Sequence, residues 1–128
     1  MRLLLDSHAI LWYVDQDHLL SRTAHAAITD PANDLLISAA SIWEIAVKAG
    51  LGKLNLSLPY RDWMNKAIAD LRAQLLSITV DYADRQASLP HHHRDPFDRM
   101  LAAQSLAENI SLVSGDAVFD AYGVARIW

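Results

Sequence analysis

Short apolar runs that break off at a polar residue divide this chain into units. Leu3-Leu4-Leu5 stops at Asp6, Leu35-Leu36-Ile37 at Ser38, and Leu112-Val113 at Ser114. Runs so short and so continuously apolar predict strands buried on both faces, and the segments between them carry helical spacing. The spacing predicts strands over 2–5, 34–38, 74–79, 110–113 and about 125–128. Helices are predicted from Asp6 to Val14 and over 21–29, about 40–49, 58–71, 81–88 and 96–109. Such an alternation is the pattern of an α/β fold built on a parallel sheet.

At 128 residues the chain is expected to form a single domain over 1–128. An apolar share of 52% with four glycines and four prolines leaves no room for a linker, a low-complexity run or a repeat. The N-terminal apolar run is interrupted by Asp6 too early for a signal peptide or a membrane span. The absence of cysteine removes disulfides and thiolate metal sites together. A cytoplasmic protein with no membrane partner is the expectation. A net charge of −4 counts against a surface built for phosphate backbones, unless several acids share a pocket with divalent cations that reverse the local sign.

Asp95-Pro96-Phe97-Asp98 places two carboxylates where a loop becomes a helix, with Pro96 at the entrance. Capping explains both locally: Asp95 as N-cap, Asp98 in the first turn where an acid suits the helix dipole. Asp98 also heads a narrow polar stripe. At about 100° per residue it falls within roughly 40° of Ser105 and Asn109 on a helix otherwise apolar through Phe97, Met100, Leu101, Ala102, Ala103 and Leu106. Ser41-Ile42-Trp43-Glu44 reads as a capping box, and Glu44 to Lys48 is ion-pair spacing. Ile42, Trp43, Ile45, Ala46 and Val47 leave this helix little surface for water, so Glu44 needs a partner. Asp6 and Asp116 each stand just past a strand end, where a cap or turn role and a site role are equally open. His91-His92-His93 reads as an exposed loop, since neighbours in a run do not converge easily on one ion. Gly50-Leu51-Gly52-Lys53 lacks phosphate-loop spacing and reads as a helix end.

In a parallel α/β sandwich, Asp6, Glu44, Asp98 and Asp116 all belong to one edge of the sheet. Carboxylates gathered there repel one another unless protons or hard divalent cations hold them together, and such sites hydrolyse phosphodiesters. A phosphatase of the aspartyl-phosphate kind would need a second acid two residues after Asp6, where His8 stands.

Taken together, Leu3-Leu4-Leu5-Asp6-Ser7-His8, Ser41-Ile42-Trp43-Glu44-Ile45, His93-Arg94-Asp95-Pro96-Phe97-Asp98-Arg99-Met100-Leu101-Ala102-Ala103-Gln104 and Leu112-Val113-Ser114-Gly115-Asp116 resemble the PIN-domain ribonucleases. More narrowly, they are similar to the VapC-type toxins of bacterial toxin–antitoxin pairs. The resemblance covers nearly the whole chain, with 55–90 contributing little. It implies a PIN-like three-layer sandwich with a central, mainly parallel β-sheet flanked by helices. It implies a Mg²⁺- or Mn²⁺-dependent endoribonuclease holding one or two ions, an RNA substrate, a cognate antitoxin partner and a homodimer. It makes Asp6, Glu44 and Asp98 the core metal-holding and catalytic acids, with Asp116 the fourth. Asp95 belongs to a subgroup signature; Ser7 and Ser114 stand where the family often has other small polar residues. Lys48 and Arg99 are candidates for phosphate contact, with ion pairing to Glu44 and to Asp95 or Asp98 as the equal alternative. The rival is a catalytically silent PIN-like module that binds RNA or protein.

Overall fold

The computed structural model describes residues 1–128. In chain order the elements are β1 (Arg2–Leu5), α1 (Ser7–Val14), α2 (Arg22–Thr29), β2 (Asp34–Ser38), α3 (Ala39–Gly50), α4 (Tyr60–Leu71), β3 (Gln74–Leu76), α5 (Val80–Ser88), α6 (Pro96–Glu108), β4 (Ser111–Val113), a 3₁₀ helix (Ala117–Tyr122) and β5 (Arg126–Ile127). The five strands form one sheet in the order β3-β2-β1-β4-β5, and every pairing is parallel. Leu3 and Leu5 pair with Leu35 and Ile37 of β2, and Leu4 and Leu5 with Leu112 and Val113 of β4.

Side-chain alternation along these central strands divides the core into two. Leu3, Leu5, Leu35, Ile37 and Val113 face one cluster with Ala9, Ile10, Ile45, Trp63 and Ala67. Leu4, Leu36 and Leu112 face the other with Leu101, Ala102, Phe119 and Tyr122. Helices therefore cover both faces, as the continuous apolar runs require. Helix α6 is the sheet-covering helix expected: Leu101, Ala102, Ala103 and Gln104 are all completely buried. The other polar positions of its stripe are used locally. Ser105 donates to the carbonyl of Ile110 at 2.6 Å, and Asn109 closes the helix in the left-handed region at φ 52°. No helix is long and apolar enough to cross a membrane.

Three local expectations change. The strand predicted to run to residue 79 ends at Leu76, because Thr79 caps α5 instead, its hydroxyl accepting from the Tyr82 amide at 3.2 Å. Thr79→Ala is expected to cost about 1 kcal/mol, read as a lower denaturant midpoint at unchanged slope. Ser41 is not a cap. Ser38, the last residue of β2, caps α3 by accepting from Ala40 at 3.0 Å, so strand passes to helix without a loop and Ser41 lies buried in the first helical turn. Trp43, expected to be buried, is 63% exposed and meets Phe97 edge-on with ring centres 5.3 Å apart.

Candidate active site

Because β2 and β4 lie on opposite sides of β1, the chain changes winding direction there, and the gap between the C-terminal ends of β1 and β4 is the crevice an open α/β sheet offers a ligand. Asp6 stands on one side of it and Ser114-Gly115-Asp116 on the other. The Asp6 amide donates to the Val113 carbonyl at 3.1 Å, extending the β1–β4 ladder by one residue and fixing the backbone of the acid. Its carboxylate caps α1, accepting from the Ala9 amide at 2.7 Å. Capping and site placement thus coexist in one side chain. Burial pushes the Asp6 carboxyl above its ordinary value, the Glu44 charge adding to this, against hydrogen bonding from Ser114 and Ala9 and the nearness of His8.

Glu44 reaches the same edge from α3 and is 3% exposed. One oxygen accepts from the Ser7 hydroxyl and the other from Lys48 Nζ at 2.6 Å, so the partner demanded by an acid in this helix is supplied twice. Burial works against the Lys48 ammonium. The Glu44 hydrogen bond and charge, with the charges of Asp95 and Asp98, outweigh it and hold that group above its usual value. Asp98 projects from the first turn of α6. Burial and the neighbouring charges of Asp95, Glu44 and Asp6, opposed by His93, raise its carboxyl to about 7. Asp95 caps α6 through the Phe97 amide at 2.8 Å. Asp116 caps the 3₁₀ helix through the Val118 amide at 3.0 Å, while its own amide donates to the buried Ser114 hydroxyl at 3.0 Å.

His93 joins these elements, although its sequence reads as part of an exposed loop. Its Nε2 lies 3.0 Å from Asp98 and 3.2 Å from Asp116, and its backbone amide donates to the Tyr122 hydroxyl at 2.9 Å. The Asp95 amide donates to His93 Nδ1 at 3.1 Å. A nitrogen facing a donor must offer its lone pair, so the neutral ring carries its proton on Nε2 and donates towards the two carboxylates. The signal available in the sequence was spacing. His93 stands two residues before the capping Asp95, and Asp98 follows that cap by one helical turn, which brings both within reach of one ring.

Arg99 goes elsewhere. It is 4% exposed and pairs with neither Asp95 nor Asp98; its guanidinium donates to the carbonyls of Pro90, Gln86 and Leu89 and to the Tyr122 hydroxyl. It is therefore a structural cation, unavailable to a phosphate. Lys48, with a third of its side chain exposed, is paired with Glu44 and stays near the acids.

The donor atoms of His93, Asp98 and Asp116 lie within 4.8 Å of one another, and Asp6 and Glu44 are close enough to raise the Asp98 carboxyl. Carboxylates crowded until one holds its proton near neutrality form a donor set that a hard divalent cation would relieve. The residues fit such an ion.

The PIN-domain family profile matches residues 3–125. Ribonuclease VapC22 of Mycobacterium tuberculosis is 31% identical over 114 residues, covering 88% of this chain and 85% of that protein. Among solved structures, VapBC2 from Rickettsia felis, bound to a promoter DNA fragment, superposes with a TM-score of 0.71 at 15% identity, over 98% of this chain and 97% of that one. The sarcin-ricin-loop-cleaving toxin VapC20 of Mycobacterium tuberculosis gives 0.67 at 14% identity, over 96% of each. From its all-parallel sheet, the acids at the β1–β4 crevice and the likeness to VapC22 along most of its length, the chain belongs to the PIN-domain family, in its VapC-type branch.

Proposed function

We propose that this protein is a divalent-metal-dependent endoribonuclease, the toxin of a toxin–antitoxin pair. The observation that carries the proposal is the convergence of Asp6, Glu44, Asp98 and Asp116 on one sheet edge, in a chain similar to a named ribonuclease over 88% of its length. Asp6, Asp98 and Asp116 would hold Mg²⁺ or Mn²⁺, with Glu44 beside them. Such an ion polarises a phosphoryl oxygen and lowers the pKa of a coordinated water, so that attack on phosphorus is possible at neutral pH.

The chain itself does the positioning. The ladder bond from Asp6 to Val113 and the cap to Ala9 fix one carboxylate, and Ser7 and Lys48 fix Glu44 from both sides. The His93 N–H orients Asp98 and Asp116 towards each other. Lys48 brings positive charge to an otherwise anionic edge, where a phosphate would be repelled. A silent binding module would gain nothing from a set of buried, mutually repelling acids, which weighs against that rival.

VapBC structures from two bacteria share the fold, and a cognate antitoxin and a homodimer are part of the proposal. Purified protein is expected to cut RNA with Mg²⁺ or Mn²⁺, to stop in excess EDTA and to recover when the ion is restored. Cleavage indifferent to EDTA would overturn the metal dependence. Folded, metal-supplied protein that cuts no RNA would overturn the nuclease. Growth arrest on expression, relieved by co-expressing the neighbouring small reading frame, is the result expected of a toxin.

A further inference from the structure

Beside the acids lies a recess of about 340 Å³ with two unlike walls. One wall is Asp6 and Asp116. The other is aromatic, formed by His8, Trp12 and Trp128, and Leu19 also lines the recess. The rings form a chain: His8 to Trp12 with centres 5.2 Å apart and Trp12 to Trp128 at 5.7 Å, both pairs tilted. His8 is exposed, and Trp12 and Trp128 are only partly buried. Both indoles also rest on the core, which gives their positions a rigid backing.

Gly115 supplies a second, independent mark. Its backbone has no positive φ that would call for glycine. A Cβ at this position would instead meet the Trp128 indole at 2.9–3.2 Å, a clash with the ring system. Glycine between Ser114 and Asp116 is what lets the indole lie flush against the turn that carries a site acid.

We infer that this recess is a nucleobase subsite, in which one unpaired base of the RNA flanking the scissile phosphate stacks on the Trp12–Trp128 wall. No lysine or arginine lines the recess to hold a phosphate of its own, and its aromatic lining suits a neutral planar ring. Aromatic side chains bind bases of single-stranded RNA in this way, with a tolerance for sequence that suits selection by position. Because the acids form one wall, a base seated here places its neighbouring phosphate at the metal-holding edge. The inference rests on the proposed ribonuclease activity and adds to it a point of strand registration.

The test pairs a protein change with an RNA change. Binding and cleavage are measured for a labelled single-stranded RNA that the protein cuts, and for a series in which one base at a time near the cut is replaced by an abasic ribose. The proteins are wild type, Trp128→Leu, His8→Ala and Gly115→Ala, with folding checked by circular dichroism. One abasic position is expected to weaken wild-type binding about tenfold or more, the usual order for one stacked base, and to have little further effect in Trp128→Leu. Gly115→Ala, which displaces the indole without removing it, is expected to show a partial loss, and it serves in place of Trp128→Leu if that variant does not fold. Independent, additive effects of abasic site and protein change would overturn the subsite while leaving the nuclease intact. So would unchanged RNA affinity with weakened binding of an antitoxin, which would assign the recess to that partner. If no RNA is cut, the nuclease reading fails first; the same variants are then titrated with mixed-sequence oligoribonucleotides in EDTA. Lower affinity of the three variants than of wild type supports the subsite there, and equal affinity across all four proteins overturns it.

Discussion

Asp98→Asn is expected to leave little or no RNA cleavage while making the metal-free protein more stable above pH 7. Both effects have one origin. Burial first, then the charges of Asp95, Glu44 and Asp6, raise this carboxyl to about 7, with His93 opposing. In the unfolded chain an aspartate titrates at about 3.9. Between those two values the folded protein holds a proton that the unfolded chain has released, so stability drains away as pH rises from about 4 to about 7 and is level beyond. A shift of that size corresponds to roughly 4 kcal/mol at most. Partial exposure of the side chain reduces the expectation to about 1–2 kcal/mol gained by the asparagine at pH 8 in chelator, with no gain near pH 4. Melting curves at the two pH values read this directly. Cleavage should fall by more than about a hundredfold, beyond what removing an outer partner of a metal site usually costs. Full activity would sink the assignment of Asp98 to the site. A lower melting point at pH 8 would show that its carboxylate is not strained.

How much of this was legible in the sequence depends on whether the signal was local. The central strands were, because a strand covered on both faces must be apolar throughout, and Leu3-Leu4-Leu5 and Leu35-Leu36-Ile37 leave few alternatives. Helix α6 was legible from its Pro96 entrance and nearly continuous apolar surface. The 3₁₀ helix Ala117–Tyr122 was not, since six residues give no helical period to detect; its only marks are the Asp116 cap and Gly123 in the left-handed region at φ 77°. In α3, Ser38 and Ser41 are equally good caps by sequence. What decides between them is the pairing of β2 with β3, which extends as far as Ser38. That one choice turns Ser41 and Glu44 to the interior and Trp43 outward. The candidate acids were visible as residue types at element ends, and the fold brings them together. His93 was hidden because its environment is tertiary: Tyr122 and Asp116 reach it from the far end of the chain. Arg99 was misread for the same reason. Sequence offers it two nearby acids, whereas the fold offers it the end of another helix.

Arg99→Met is expected to be the most destabilising single change at this edge, by about 3–5 kcal/mol, lowering the melting temperature by on the order of 10 °C. Arg99 is 4% exposed, and its guanidinium meets carbonyls and a hydroxyl instead of a carboxylate. It reaches Gln86 in the last turn of α5 at 2.9 Å, Leu89 just beyond at 3.2 Å and Pro90 at 2.8 Å, with the Tyr122 hydroxyl at 3.3 Å. A helix C-terminus presents unpaired carbonyls and the negative end of its dipole, and a fixed cation with several donors answers both. Methionine fills similar space but takes the charged donors away from the half-buried end of α5, leaving the Gln86 carbonyl only its bond from the Leu89 amide and leaving the Leu89 and Pro90 carbonyls without the guanidinium. Lysine keeps the charge but cannot span the fork of acceptors, so Arg99→Lys should recover less than half of the loss. The consequence extends to the site, because Pro90 opens the segment that carries His93, and Tyr122 holds both Arg99 and the His93 amide. Cleavage by Arg99→Met should therefore fall even well below its melting temperature, where Thr79→Ala, equally near α5 but remote from this segment, should cleave normally. A melting point within a degree or two of wild type would overturn the structural role. Normal cleavage in a destabilised Arg99→Met would sever that role from the placement of His93.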